Sequence, residues 1–238
     1  LEGLGSPPRP ILGAPPFRWT ARAARRSVGL AAVRSGLDGR AATPADAVAD
    51  VMADPGGPFG VGRTGPGSCA DWITSLAPPA RTLVTAEATA WATRLWSAVD
   101  WGRLAPGRPV VGGPDRWWRW NDALGGCRIA VRGRADVRVG GWATDAGRGA
   151  QLAVLDGQPE IVSRQALLVS ALVDALSSRR SDEGAQVPAR VLGWWPDCGK
   201  TWVVPVDAGT LVAAAEAVVS TARALIVQGT PGRCAGRH

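Results

Sequence analysis

The hydrophobic period of this chain changes once, near Trp101, and that change limits the folds open to it. Before it, apolar residues recur at helical spacing. Val28, Leu30, Val33 and Leu37 punctuate residues 21–37, and Leu83, Val84, Trp91, Leu95 and Trp96 punctuate 79–99. After it come short runs at 109–111, 117–120, 128–132, 135–139 and 151–155, separated by Gly-Gly, Gly-Pro-Asp and Asp-Ala-Gly-Arg-Gly turn signals. Within 128–139, Ile129, Val131, Ala135, Val137 and Val139 alternate with Arg and Asp, and Gly133 breaks the phase. A helix follows over 162–178, with Leu167, Leu168, Ala171, Leu172 and Leu176 as its buried stripe. A hairpin (187–195 and 201–206) and a helix over 210–227, capped by Asp207, complete the order. Helices, a strand meander, a crossover helix, two strands and a last helix predict an α+β fold, with a mixed β-sheet and flanking helices.

Local signals set the boundaries. Thr20 is placed to cap the first helix, and Thr43-Pro44 opens a short second one over 45–52. Residues 54–68 are a Gly/Pro loop, and five prolines within 1–16 indicate an extended arm with no apolar core of a secretory signal. The chain therefore divides into a flexible arm (1–19), a helical N-terminal region (20–101), an α/β core (102–228) and a flexible tail (229–238).

Composition excludes several classes. With 46% hydrophobic and 20% charged residues, most of the chain is not intrinsically disordered. No apolar stretch approaches the ~20 residues of a membrane span. The four cysteines form no Cys-x-x-Cys pair and the one histidine is His238, which argues against a zinc or iron–sulfur site. Scattered thiols fit a reducing, cytoplasmic setting.

Charge points to a partner. The net charge is +7, with 26 Arg and one Lys, a ratio that a GC-rich genome also produces. Residues 1–40 and 101–150 each carry +5, and 41–100 carries −3. Folded together, the basic blocks would make an anion-attracting face. Arg22, Arg25 and Arg26 on the first helix, with Arg132 and Arg134 on the strands, are candidate phosphate contacts; the alternative is a solvated face. In Asp-Arg-Trp-Trp-Arg-Trp-Asn-Asp, Trp117 between Arg116 and Arg119 suits stacking on unpaired bases, or else a covered sheet edge. DNA is the expected partner.

Familiar catalytic motifs are missing: there is no phosphate-binding Gly-x-x-x-x-Gly-Lys loop, no Gly-x-Ser-x-Gly and no histidine for a triad. Two carboxylates stand out instead. Asp136 lies on one strand and Asp156 ends the next long one, so both can converge at one sheet end. Such a pair holds a divalent metal for phosphodiester hydrolysis, unless the two are merely a surface Asp and a turn Asp.

The phrase Gly133-Arg134-Ala135-Asp136-Val137-Arg138 and the element order resemble the RecB-like branch of the PD-(D/E)XK nucleases, over roughly residues 80–227. That resemblance implies a restriction-endonuclease-like core. It makes Asp136 the first acid, Asp156-Gly157-Gln158 the second motif, Gln165 the helix glutamine and Glu87 the upstream acid. It also implies Mg²⁺ on Asp136, Asp156 and Glu87, with Gln158 positioning the water. Two positions depart from the pattern: Gln158 stands where the family has its lysine, and Val169 where it has a tyrosine. The lysine stabilises charge developing on the phosphate, and glutamine brings no charge. The expectation is a DNA-binding, nuclease-like protein of repair or recombination, its site weak or inactive. The alternatives are a non-catalytic module for nucleic acid or a helicase or repair partner, and a scaffold without a nucleic-acid role.

Overall fold

Thr20 opens the first element as its sequence predicts. Its hydroxyl accepts from the Ala23 N–H at 3.2 Å, and helix α1 runs Ala21–Leu37. This is a computed structural model, and it describes residues 18–62, 64–101, 116–122, 127–133, 135–139, 149–155, 161–178 and 187–228. For 116–122, 127–129, 139, 161–165, 177–178 and 225–228 the backbone path alone is described. Thr43 caps α2 (Pro44–Ala53) through the Asp46 N–H, with Pro44 in the first turn. Helix α3 (Cys69–Thr74) is capped by Ser68 and was not foreseen, because six residues are too few to display a period. Helix α4 spans Pro78–Ala98.

These helices pack through small-to-large contacts. A Cβ placed on Gly29 of α1 would lie 2.3 Å from Trp91 Cε3 of α4, so glycine is what lets the indole rest on the α1 backbone. Trp91 in turn meets Trp194 of the sheet edge-on, ring centroids 5.0 Å apart.

Four strands form a mixed sheet in chain order: β3 (Val137–Val139), β4 (Ala150–Val154), β5 (Arg190–Trp195) and β6 (Lys200–Pro205). The β3–β4 pair is antiparallel, β4–β5 parallel and β5–β6 antiparallel. The parallel pair needs a long connection, which α5 (Ile161–Ser178) lies within. Between β5 and β6 the chain turns through Gly199 at φ 66°, a left-handed conformation that favours glycine. Asp207 accepts from the Thr210 N–H at 2.8 Å at the start of α6 (Ala208–Gln228).

The architecture is α+β, as the periodicity indicates, with one difference. Strands β1 (Arg116–Asp122) and β2 (Cys127–Gly133) do not join the four-stranded sheet among the described residues; they form their own antiparallel ladder against α5. The phase break at Gly133 marks the separation. A Cβ there would come 2.8 Å from Val173 Cβ, so β2 ends pressed on α5.

Both faces of the sheet are covered. Ala150, Leu152, Val154, Leu192 and Trp194 share a core with α1–α4, while Ala153, Val191 and Trp195 share one with Leu167 and Ala171 of α5. Sandwiching explains why β4 is buried at every position, Gln151 included. No described helix is long and apolar enough to cross a membrane.

Candidate functional site

Asp136 immediately precedes β3, and its backbone extends the ladder: its N–H donates to Leu152 O at 2.8 Å. Its carboxylate turns back onto β4, where Oδ2 accepts from the Val154 N–H at 2.7 Å. Helix α1 lies over this face of the sheet and delivers Arg26. The Arg26 Nη2 donates to Asp136 Oδ2 at 3.0 Å, to Asp136 Oδ1 at 3.2 Å and to the Val154 carbonyl at 2.8 Å. One guanidinium nitrogen therefore sits among three oxygens from two neighbouring strand segments. The pair is largely shut off from water, with Asp136 8% and Arg26 16% exposed, which strengthens its attraction over that of a surface pair. Burial pulls the pKa of nearby Arg34 below its ordinary value, and the negative charge of Asp136 opposes that fall.

Arg25, next along α1, faces the other way. Its Nη1 lies 3.8 Å from Glu87 Oε2 on α4. Of the three acids expected at a metal site, Asp136 and Glu87 are thus each engaged by an α1 arginine. Two carboxylate oxygens and a main-chain carbonyl are the ligands a hard divalent cation takes, and here Arg26 donates to all three. Mg²⁺ would have to expel a guanidinium from its ion pair. As arranged, these residues do not fit the metal. Among the described residues no group of three or more His, Cys, Asp or Glu is placed to hold one.

The antiparallel register of β3 with β4 puts the start of β3 and the end of β4 at the same end of the sheet. Asp156 and Gln158 follow shortly after Val154 in sequence and lie outside the described residues, as does Arg134. Gln165 falls in the second turn of α5.

The expected phosphate contacts fall into two groups. On α1, Arg22, Arg25 and Arg26 are directed at carboxylates rather than forming a free basic face; Arg22 reaches Asp197 at 3.1 Å, an exposed pair of little energetic weight. The β1–β2 ribbon holds the other group, with Trp117 across from Arg132, Arg116 across from Gly133 and Arg119 across from Ala130. Arg132 is exposed. The register thus gathers Arg116, Trp117, Arg119 and Arg132 onto one two-stranded ribbon.

Sequence reasoning missed a buried polar cluster under α5. Arg138 of β3 grips Asp174 of α5 with two parallel hydrogen bonds, Nε to Oδ2 at 2.9 Å and Nη2 to Oδ1 at 3.0 Å, and Gln151 of β4 also donates to Asp174. All three residues are buried. A signal was present: Leu167, Ala171 and Asp174 are spaced i, i+4, i+7, which puts an acid on the helix's core stripe. The alternation instead set Arg138 opposite Val137, on a face that the element order had not yet covered. No protein-family model, curated protein or solved structure matches this chain.

Proposed function

We propose that this chain is a DNA-binding module on a PD-(D/E)XK nuclease-like core, in which the metal-dependent cleavage site is replaced by an internal ion pair. The observation that carries the reading is the Arg26 Nη2 lying among Asp136 Oδ1, Asp136 Oδ2 and Val154 O. It sits at the position that the sequence resemblance assigns to the metal. The strand order supports the same core: an acid opens β3, β4 is antiparallel to it, and β5 is parallel to β4 beyond a crossover helix. Gln158 in the lysine position removes the second source of positive charge from the reaction.

Nucleic-acid binding rests on charge and on the ribbon. Residues 101–150 carry nine arginines, and Arg116, Trp117, Arg119 and Arg132 fall together on β1–β2. Arginine neutralises phosphate, and an indole offers a stacking platform to an unpaired base. The α1 arginines take part in holding the fold and are left out of this surface.

Fluorescence anisotropy with labelled single- and double-stranded DNA tests the proposal. Several phosphates neutralised together make affinity fall steeply between low and moderate salt. The Arg119→Ala/Arg132→Ala variant should bind more weakly and with a shallower salt slope. Absence of binding at low salt, or affinity unmoved by that pair of substitutions, removes the DNA-binding half of the reading.

A further inference from the structure

We propose that the chain forms a two-fold symmetric dimer through the outer face of α6. One side of this helix packs on α5, with Ala214 buried and Leu211 part-buried. The opposite side is exposed, yet its composition is not that of a solvated helix. Val212 is 57% and Val219 38% exposed, and Ala213, Ser220, Thr221 and Ala224 are exposed beside them. Across the whole of α6, from Ala208 to Gln228, the only charged residues are Glu216 and Arg223. A helix this apolar on both sides ordinarily has both sides covered.

The two charges identify the occupant as a second copy. Glu216 and Arg223 lie two turns apart on the exposed stripe with Val212 and Val219. If two copies of α6 cross antiparallel about an axis between Val219 and Ser220, Glu216 of each meets Arg223 of the other. The same register sets Ala215 opposite Ala224, small residues that let the helix axes approach closely, and Val219 opposite Ser220. A self-complementary patch is the requirement of a two-fold interface, and one charge of each sign, placed symmetrically about its centre, fulfils it. This dimer does not depend on the DNA-binding reading.

Analytical ultracentrifugation of the full chain tests it, with a charge reversal and its compensating swap. Glu216→Arg sets like charges opposite each other at two symmetry-related places and should raise the dimer dissociation constant by about tenfold or more. Glu216→Arg/Arg223→Glu restores both attractions in reversed sense and should return the constant close to the unsubstituted value. Both positions are exposed, so circular dichroism and melting temperature should be unchanged. A chain that stays monomeric at high micromolar concentration overturns the proposal. So does a dimer indifferent to Glu216→Arg, or one that the swap does not rescue.

Discussion

A guanidinium 3.0 Å from a nearly buried carboxylate is held by more than their mutual attraction, because neither group has much water to return to. Removing Arg26 takes a guanidinium from a nearly buried carboxylate, and Arg26→Met should destabilise the fold by about 3 kcal/mol. Asp136→Asn keeps the shape and loses the charge. The double variant should be less destabilised than the sum of the singles, with a coupling of at least about 1 kcal/mol in urea unfolding. Additive effects would mean that the contact carries no energy. Cys69 makes a second prediction at this scale. Burial pushes its thiol from 9.0 up to about 11, against a hydrogen bond with Ser27 that works the other way. Between those values the folded chain keeps a proton that the unfolded chain has lost, so stability falls as pH rises through the window. Cys69→Ala should lose that share of the alkaline decline, seen as a shallower drop in melting temperature from pH 9 to 11 than in the unsubstituted protein.

Elements are where the amino-acid sequence was most legible. The first helix follows its capping threonine and apolar spacing to the residue, because both signals are local and agree. Strand β3 was harder. Its Val-Arg-Val alternation was plain, but the polar half does not face water: Arg138 is buried and paired with Asp174 of α5. Close approach between elements was not legible at all: nothing around Gly29 announces that it lies under an indole supplied sixty-two residues later. Gly29→Ala isolates this effect. Alanine is the better helix former by about 1 kcal/mol, so propensity alone makes the variant more stable. Overpacking against Trp91 should outweigh that gain, for a net loss of about 1–3 kcal/mol in thermal or chemical unfolding. A variant as stable as the original would show that α1 and α4 can move apart freely.

At the scale of the whole molecule, the candidate site was half legible. Asp136 stood out with Asp156 as a pair of strand-end carboxylates, and Glu87 only through the family resemblance. That each would be met by an arginine of α1 depends on how the first helix lies across the sheet, and a one-dimensional pattern does not encode that. The same helix explains the fate of the basic N-terminal block. Its arginines looked like a phosphate-facing surface, and the fold instead turns Arg22, Arg25 and Arg26 toward Asp197, Glu87 and Asp136. Of the three, Arg26 is the shielded tie between the helical layer and the sheet. Of the second basic block, Arg116, Arg119, Arg128 and Arg132 fall on the β1–β2 ribbon.

Incubating labelled single- and double-stranded DNA with the purified chain and millimolar Mg²⁺ or Mn²⁺, with binding and cleavage read on the same gels, tests this account most directly. The expected result is DNA that is retarded at low salt, released at moderate salt and intact throughout, with or without metal. Metal-dependent cleavage that Asp136→Asn abolishes would contradict the account, because Asp136 would then be holding a metal and not Arg26.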